Sequence, residues 1–164
     1  NGCFLNDGQR IPARQWVLKH LLIHAGLTPE ISLTRTQTLL DEASRHLAEG
    51  ELSVVLHEFF EGESEVAKAV AGATRIRTVT AQGALNHSYK GSPQDAPEGL
   101  RPWFTHPGVD WPVGKKVLFG HWAALGLYQD ERVVGLDSGC VWRRALSAFN
   151  IKTGQMVQVN RVSA

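Results

Sequence analysis

The chain has 164 residues, 43% of them apolar and 20% charged, with a formal net charge of +1, a composition that excludes the disordered and collagen-like classes. So even a charge balance gives no electrostatic reason to expect a nucleic acid polymer or a membrane surface as partner, and any anion must be met by a local site. No apolar run reaches the roughly 18 residues needed to cross a bilayer as a helix, and a domain of this length buries about two-thirds of its unfolded surface, enough for one core.

The two cysteines, Cys3 and Cys140, are too few for a disulfide framework and fit a reducing compartment, so a cytoplasmic protein is expected. Asn1 to Gln15 is polar and loop-like, without the charged and apolar regions of a signal peptide. The start therefore reads as cut from, or internal to, a longer gene.

From Gln15 to His24 an apolar run ended by Ala25-Gly26 predicts a buried strand that delivers a histidine to its C-terminal end. Ser32 or Thr34 can cap a helix in which Leu39, Leu40, Ala43 and Leu47 recur at helical spacing, with Gly50 as its stop. Further helices are expected from Glu51 to about Glu61 and from Glu65 to about Arg77. Thr78 to Tyr89, interrupted by Gln82-Gly83, predicts a short hairpin or an extended connection. Lys90 to Gly114, rich in proline and glycine, reads as a long irregular loop of the kind that serves a function or forms a lid. Four strands are expected after it, at 117–121, 132–137, 145–151 and 156–160, the last two joined by a turn at Lys152-Thr153-Gly154-Gln155. Helices in the first half and mostly antiparallel strands in the second predict an α/β chain, either α+β or a layered α/β sandwich.

Of the seven histidines, His46, His57, His87 and His106 have no partner at a diagnostic spacing, and no role is expected of them. His20 and His24 share a face if both lie on one strand. His20 alone reads as an edge or core histidine. His24 stands apart because small residues after a strand end let backbone and ligand approach closely. His121 has the same grammar: an apolar strand, then Gly120, then the imidazole. Strand ends of open α/β sheets are where sites form, so the two histidines could share one ion.

His24-Ala25-Gly26-Leu27-Thr28-Pro29 resembles the histidine motif of the phosphoprotein-phosphatase-like (calcineurin-like) metallophosphoesterases, and Phe119-Gly120-His121-Trp122 resembles their later Gly-His motif. Thr74-Arg75-Ile76-Arg77, Lys90-Gly91-Ser92-Pro93 with Pro102-Trp103-Phe104, and Leu136-Asp137-Ser138-Gly139-Cys140-Val141-Trp142 are similar to segments of the bacterial symmetrical diadenosine tetraphosphatases. These motifs stand in order from about His20 to Val159. The resemblance implies the C-terminal half of a metallophosphoesterase layered β-sandwich flanked by helices over 15–164, with 1–14 unmatched. It also implies metal-dependent hydrolysis of diadenosine tetraphosphate to two ADP, with His24 and His121 as ligands of one of two divalent ions. Manganese is expected, with cobalt, iron or zinc also compatible with imidazole. Arg75 and Arg77 are implied as the catalytic cations that fork onto phosphate oxygens, whereas Asp137 reads as turn-forming or as a residue behind the metal ligands rather than a ligand itself.

The pattern is also incomplete. The family's Asp-x-His, Gly-Asp-x-x-x-Arg-Gly and Gly-Asn-His-Asp motifs do not occur, and Arg143-Arg144 stand where the family has small residues. Two neutral imidazoles alone bind an ion poorly, so the chain by itself is expected to be nearly inactive. Another phosphoesterase of the same superfamily, or a non-catalytic nucleotide- or anion-binding remnant, remains as an alternative reading.

Overall fold

A computed structural model describes residues 14–17, 20–51, 53, 57 and 63–161. All but Arg14 of the unmatched segment 1–14 lies outside them, as do residues 162–164 and most of the helix expected at 51–61.

The structure is mixed α/β, with two described α-helices and three sheets. The main sheet has five strands in the order β1-β2-β6-β8-β7. They are β1 (Arg14–Val17), β2 (His20–Ile23), β6 (Lys116–Phe119), β7 (Tyr128–Gln129) and β8 (Val133–Gly135). The single strand expected from Gln15 to His24 is instead two, because Val17 pairs with His20 and Arg14 with Ile23 in antiparallel register. His24 thus lies beyond the strand, and the shared face expected for His20 and His24 does not apply. The His20 ring packs edge-on against Phe149, with centroids 5.9 Å apart.

The centre of the sheet corrects the antiparallel expectation: β2 runs parallel to β6, and β6 parallel to β8. Strands covered on both faces read as unbroken apolar runs rather than alternating ones. Val117, Leu118 and Phe119 of β6 and all three residues of β8 are buried. The other strands lie close to expectation. β9 (Ala145–Phe149) and β10 (Met156–Asn160) form an antiparallel hairpin, and β3 (Thr78–Val79) pairs with both β4 (Leu85–Asn86) and β5 (Arg101–Pro102).

Helix α1 (Leu33–Ala48) starts at Ser32, whose hydroxyl accepts the Arg35 amide at 3.1 Å, and Gly50 follows its end at φ 82°. Thr36, Leu39, Leu40 and Ala43 are buried, but Leu47 is exposed. The buried stripe packs against α2 (Glu65–Arg75), which is 11 residues long against the 16 of α1, and stops short of Leu47. Replacing Ser32 by alanine removes the cap and is expected to lower the unfolding free energy by about 1 kcal/mol, read from a urea denaturation midpoint.

The loop of 90–114 contributes to the core. Trp103 and Phe104, in a short 3-10 turn at Trp103–Thr105, are buried in the main core. Trp103 packs against Phe104, Phe119 and, stacked, Trp111, with centroids 5.4–5.8 Å apart. Its amide is fixed by a 3.0 Å bond to the Arg77 carbonyl. Aromatic side chains bury enough area for an irregular backbone to serve as core wall.

Candidate metal and phosphate site

Parallel strands finish at the same edge of a sheet. The registers of β2 with β6 and of β6 with β8, continued past the strand ends, place Gly120 beside His24 and Asp137 beside His121. Hydrogen bonds carry the alignment on: the Gly120 amide donates to the His24 carbonyl at 2.9 Å, and the Leu136 amide to the Phe119 carbonyl at 2.8 Å. The C-terminal edge of the three central strands is therefore where the chain collects His24, His121 and Asp137.

The two imidazoles meet there. His24 Nε2 lies 3.1 Å from His121 Nδ1, and the ring centroids are 5.0 Å apart. His121 is presented by a three-residue turn, in which the Trp122 amide donates to the Gly120 carbonyl at 2.7 Å and His121 itself takes φ 65°. A non-glycine residue in that region costs of order 1 kcal/mol, a strain that persists only where the surroundings hold it. Here the buried Trp122 does so, its indole N–H donating to the Gly91 carbonyl at 2.8 Å.

The turn after His24 is held as firmly. The Ala25 amide donates to the Ala73 carbonyl at 2.9 Å, and the Thr28 hydroxyl to the Lys68 carbonyl at 2.8 Å, both on α2. Gly26 sits over Trp103 and Ile76, so close that a Cβ there would lie 2.4 Å from Trp103 Cε2.

Electrostatics keep the pair neutral. Burial lowers the pKa of His24, with Asp137 opposing and Arg77 adding to the shift. His121 is pushed down to about 4, by burial first, then by Arg77 and His24, with the Arg75 main chain and Asp137 opposing. At neutral pH both rings are unprotonated and offer lone pairs. His121 Nε2 is buried and makes no hydrogen bond of normal geometry.

The two arginines part company. Arg77, its pKa lowered by burial against the opposing charge of Asp137, extends a guanidinium N–H toward the His121 carbonyl at 3.4 Å. Arg75 ends α2 and lines a separate cleft together with His87. Helix-to-extended transitions redirect neighbouring side chains, and Ile76 is where the backbone leaves the helix. Asp137 accepts the Gly139 amide at 3.1 Å, as a turn-forming aspartate should, yet it also belongs to the electrostatic surroundings of both histidines. Both parts lie within what the sequence suggests for it, and the parallel pairing of β6 with β8 is what brings the aspartate beside the histidines. Arg143 and Arg144 are exposed, and Arg144 donates to the Ala123 carbonyl at 3.3 Å. His106 is a buried structural residue, bonded to the Ala81 carbonyl and the Gly108 amide.

Two nitrogens bound to one ion at about 2.0–2.1 Å stand roughly 3 Å apart, so the 3.1 Å separation fits a shared ion. Carboxylates are the missing part. Among the described residues, the one trio of histidine and acidic groups close enough to share an ion is His46, Glu49 and Glu51 at the end of α1, not at this pair.

No protein-family model matches the chain. Among curated proteins it is similar to the symmetrical bis(5'-nucleosyl)-tetraphosphatase of Nitrosomonas europaea, 32% identical over 155 residues, covering 86% of this chain and 56% of the relative. The enzyme of the same name from Burkholderia mallei is 37% identical over 142 residues, covering 80% of this chain and 50% of the relative. The chain thus spans about half the length of the curated relatives it matches. A solved structure of a candidate diadenosine tetraphosphatase is similar at a TM-score of 0.49 and 20% identity, over 89% of this chain and 48% of that one.

Proposed function

We propose that this chain, homologous over most of its length to symmetrical bis(5'-nucleosyl)-tetraphosphatases, is the C-terminal half of a metal-dependent hydrolase that splits diadenosine tetraphosphate into two ADP. The observation that carries the reading is the His24–His121 pair, two neutral imidazoles with nitrogens 3.1 Å apart at one sheet edge. In this reading both histidines hold one divalent ion, manganese by preference, with cobalt, iron or zinc also suited to imidazole. A pair of divalent ions lowers the pKa of a bound water and neutralises charge on the attacked phosphoryl group.

The chain's own residues supply the rest of this half. The strained turn at His121 and the α2-tethered turn after His24 fix two ligands before any ion arrives, so little ordering remains to be done on binding. Arg77, half-buried beside them, is placed to fork onto phosphoryl oxygens, where a guanidinium outperforms an ammonium. The acidic ligands lie in the half that the chain does not match, and the chain alone is expected to be nearly inactive.

The test completes the chain with the remaining half of the Nitrosomonas europaea relative and supplies manganese. Diadenosine tetraphosphate should yield ADP as the sole nucleotide product. Release of ATP and AMP, or hydrolysis of a phosphoprotein with diadenosine tetraphosphate left intact, would overturn the substrate assignment.

A further inference from the structure

Two guanidinium groups grip the turn that presents His121. Arg77 reaches the His121 carbonyl at 3.4 Å from the segment after α2, and Arg144 donates to the Ala123 carbonyl at 3.3 Å from the loop that follows Asp137. Carbonyls two residues apart lie within about 7 Å of each other even on an extended chain. Two cations therefore flank one short stretch of backbone beside the histidine pair. They differ in depth. Arg77 is half-buried and its charge bears on both imidazoles, whereas Arg144 is exposed.

Arg144 is set in place before any ligand arrives. Its amide donates to the Gly139 carbonyl at 3.1 Å, and its carbonyl accepts the Arg161 amide at 3.1 Å. The aliphatic stem lies over Gly139, so close that a Cβ there would meet Arg144 Cδ at 2.9 Å, and the Gly139 amide is itself tied to Asp137 at 3.1 Å. The side chain thus spans from the Asp137 loop to the His121 turn. A guanidinium has more N–H donors than the one that Ala123 accepts, and among the described residues no carboxylate pairs with it. Arg144 stands where the family it resembles has small residues, so no role is carried over to it. A cation fixed in this way is placed to meet an anion at the outer rim of the site.

We infer that Arg144 is a second phosphate-binding cation of this site, outside Arg77, and that the two together select ligands carrying several linked phosphates over a single phosphate. The inner cation holds the phosphoryl group next to the histidines, and the outer one meets a phosphate farther along the same ligand. A lone phosphate that fills the inner position leaves the outer one unmet. Arg144 therefore discriminates by the length and charge of the anion rather than adding evenly to every affinity. This inference rests on the proposed hydrolase reading for the orientation of the anion, while the pair of cations on the His121 turn stands without it.

The test is calorimetric titration of the chain with inorganic tripolyphosphate and with orthophosphate, in the presence of a metal chelator. Tripolyphosphate should bind more tightly than orthophosphate. Arg144→Gln keeps a stem over Gly139 and a donor for Ala123 but removes the charge. It should weaken tripolyphosphate about fivefold, the upper end for an exposed ion pair, and leave orthophosphate within about twofold. Arg144→Lys should recover part of the loss. Since both replacements retain a donor, a role confined to the Ala123 bond would leave them alike. Arg143→Gln, which removes the same charge from the exposed neighbour, should change neither affinity. Circular dichroism checks that each variant folds, with Arg144→Met as the substitute if Arg144→Gln does not. No binding of tripolyphosphate, equal affinity for the two anions, an unchanged affinity in folded Arg144→Gln, or an equal loss in Arg143→Gln would overturn the inference. Arg144-dependent binding of tripolyphosphate by a chain whose completed form leaves diadenosine tetraphosphate intact would uphold it and count against the hydrolase reading instead.

Discussion

Gly26→Ala should destabilise the chain by roughly 1–3 kcal/mol or more, the range for forcing an extra carbon into a packed core. The added Cβ would meet Trp103 Cε2 at 2.4 Å, Trp103 Nε1 at 2.7 Å and Ile76 Cγ2 at 2.8 Å. Neither neighbour can give way easily. Trp103 is fully buried between Trp111, Phe104 and Phe119, and Ile76 is 1% exposed. Backbone movement is the remaining escape, and it would lift the turn that carries His24. Denaturant unfolding reads the loss of stability. Trp103→Phe, which opens space under residue 26, should cost less in the Gly26→Ala background than in the unsubstituted chain, a coupling that a double-mutant cycle measures. Additive losses would show that the glycine is not required by the indole.

The same contact explains part of what the sequence made legible. Small residues after His24 were readable as a demand for close approach, but which group approaches was not. Trp103 comes from a segment whose prolines and glycines signal a loop, and local patterning carries no information about a contact that closes across more than seventy residues. The strand-end positions of His24 and His121 were readable because an apolar run followed by a small residue marks a sheet edge. The fold back at Val17 and His20 was not, since an unbroken apolar run looks alike whether it is one strand or two. Parallel pairing of β2, β6 and β8 is not legible in the sequence for a related reason: strands buried on both faces lose the alternation that reveals which side is covered.

Within the site, spacing alone treats Arg75 and Arg77 as equivalents, two positions apart in one motif. The helix ends between them, and the structure sends one to the cleft and the other to the histidines. Asp137 was legible as a turn former or a residue behind the ligands, and the register of β6 and β8 is what sets it beside His121. His87, to which the sequence gives no role, lines the cleft at the position directly after β4.

The largest expected effect on activity belongs to the histidines themselves. In the chain joined to the remaining half of the Nitrosomonas europaea relative and supplied with manganese, the proposed function predicts that His24→Ala or His121→Ala each reduces turnover by about a thousandfold, since loss of a catalytic ion removes several kcal/mol of charge stabilisation. Both side chains direct a nitrogen to one point, so the second substitution should add little to the first. The most direct measurement is the number of manganese ions bound per chain at equilibrium dialysis, for the unsubstituted protein, each single variant and the double variant. A shared ion predicts that each single variant loses one ion and the double variant loses the same one. Loss of two ions in the double variant, or of none in either single variant, would contradict the assignment of His24 and His121 to a common metal.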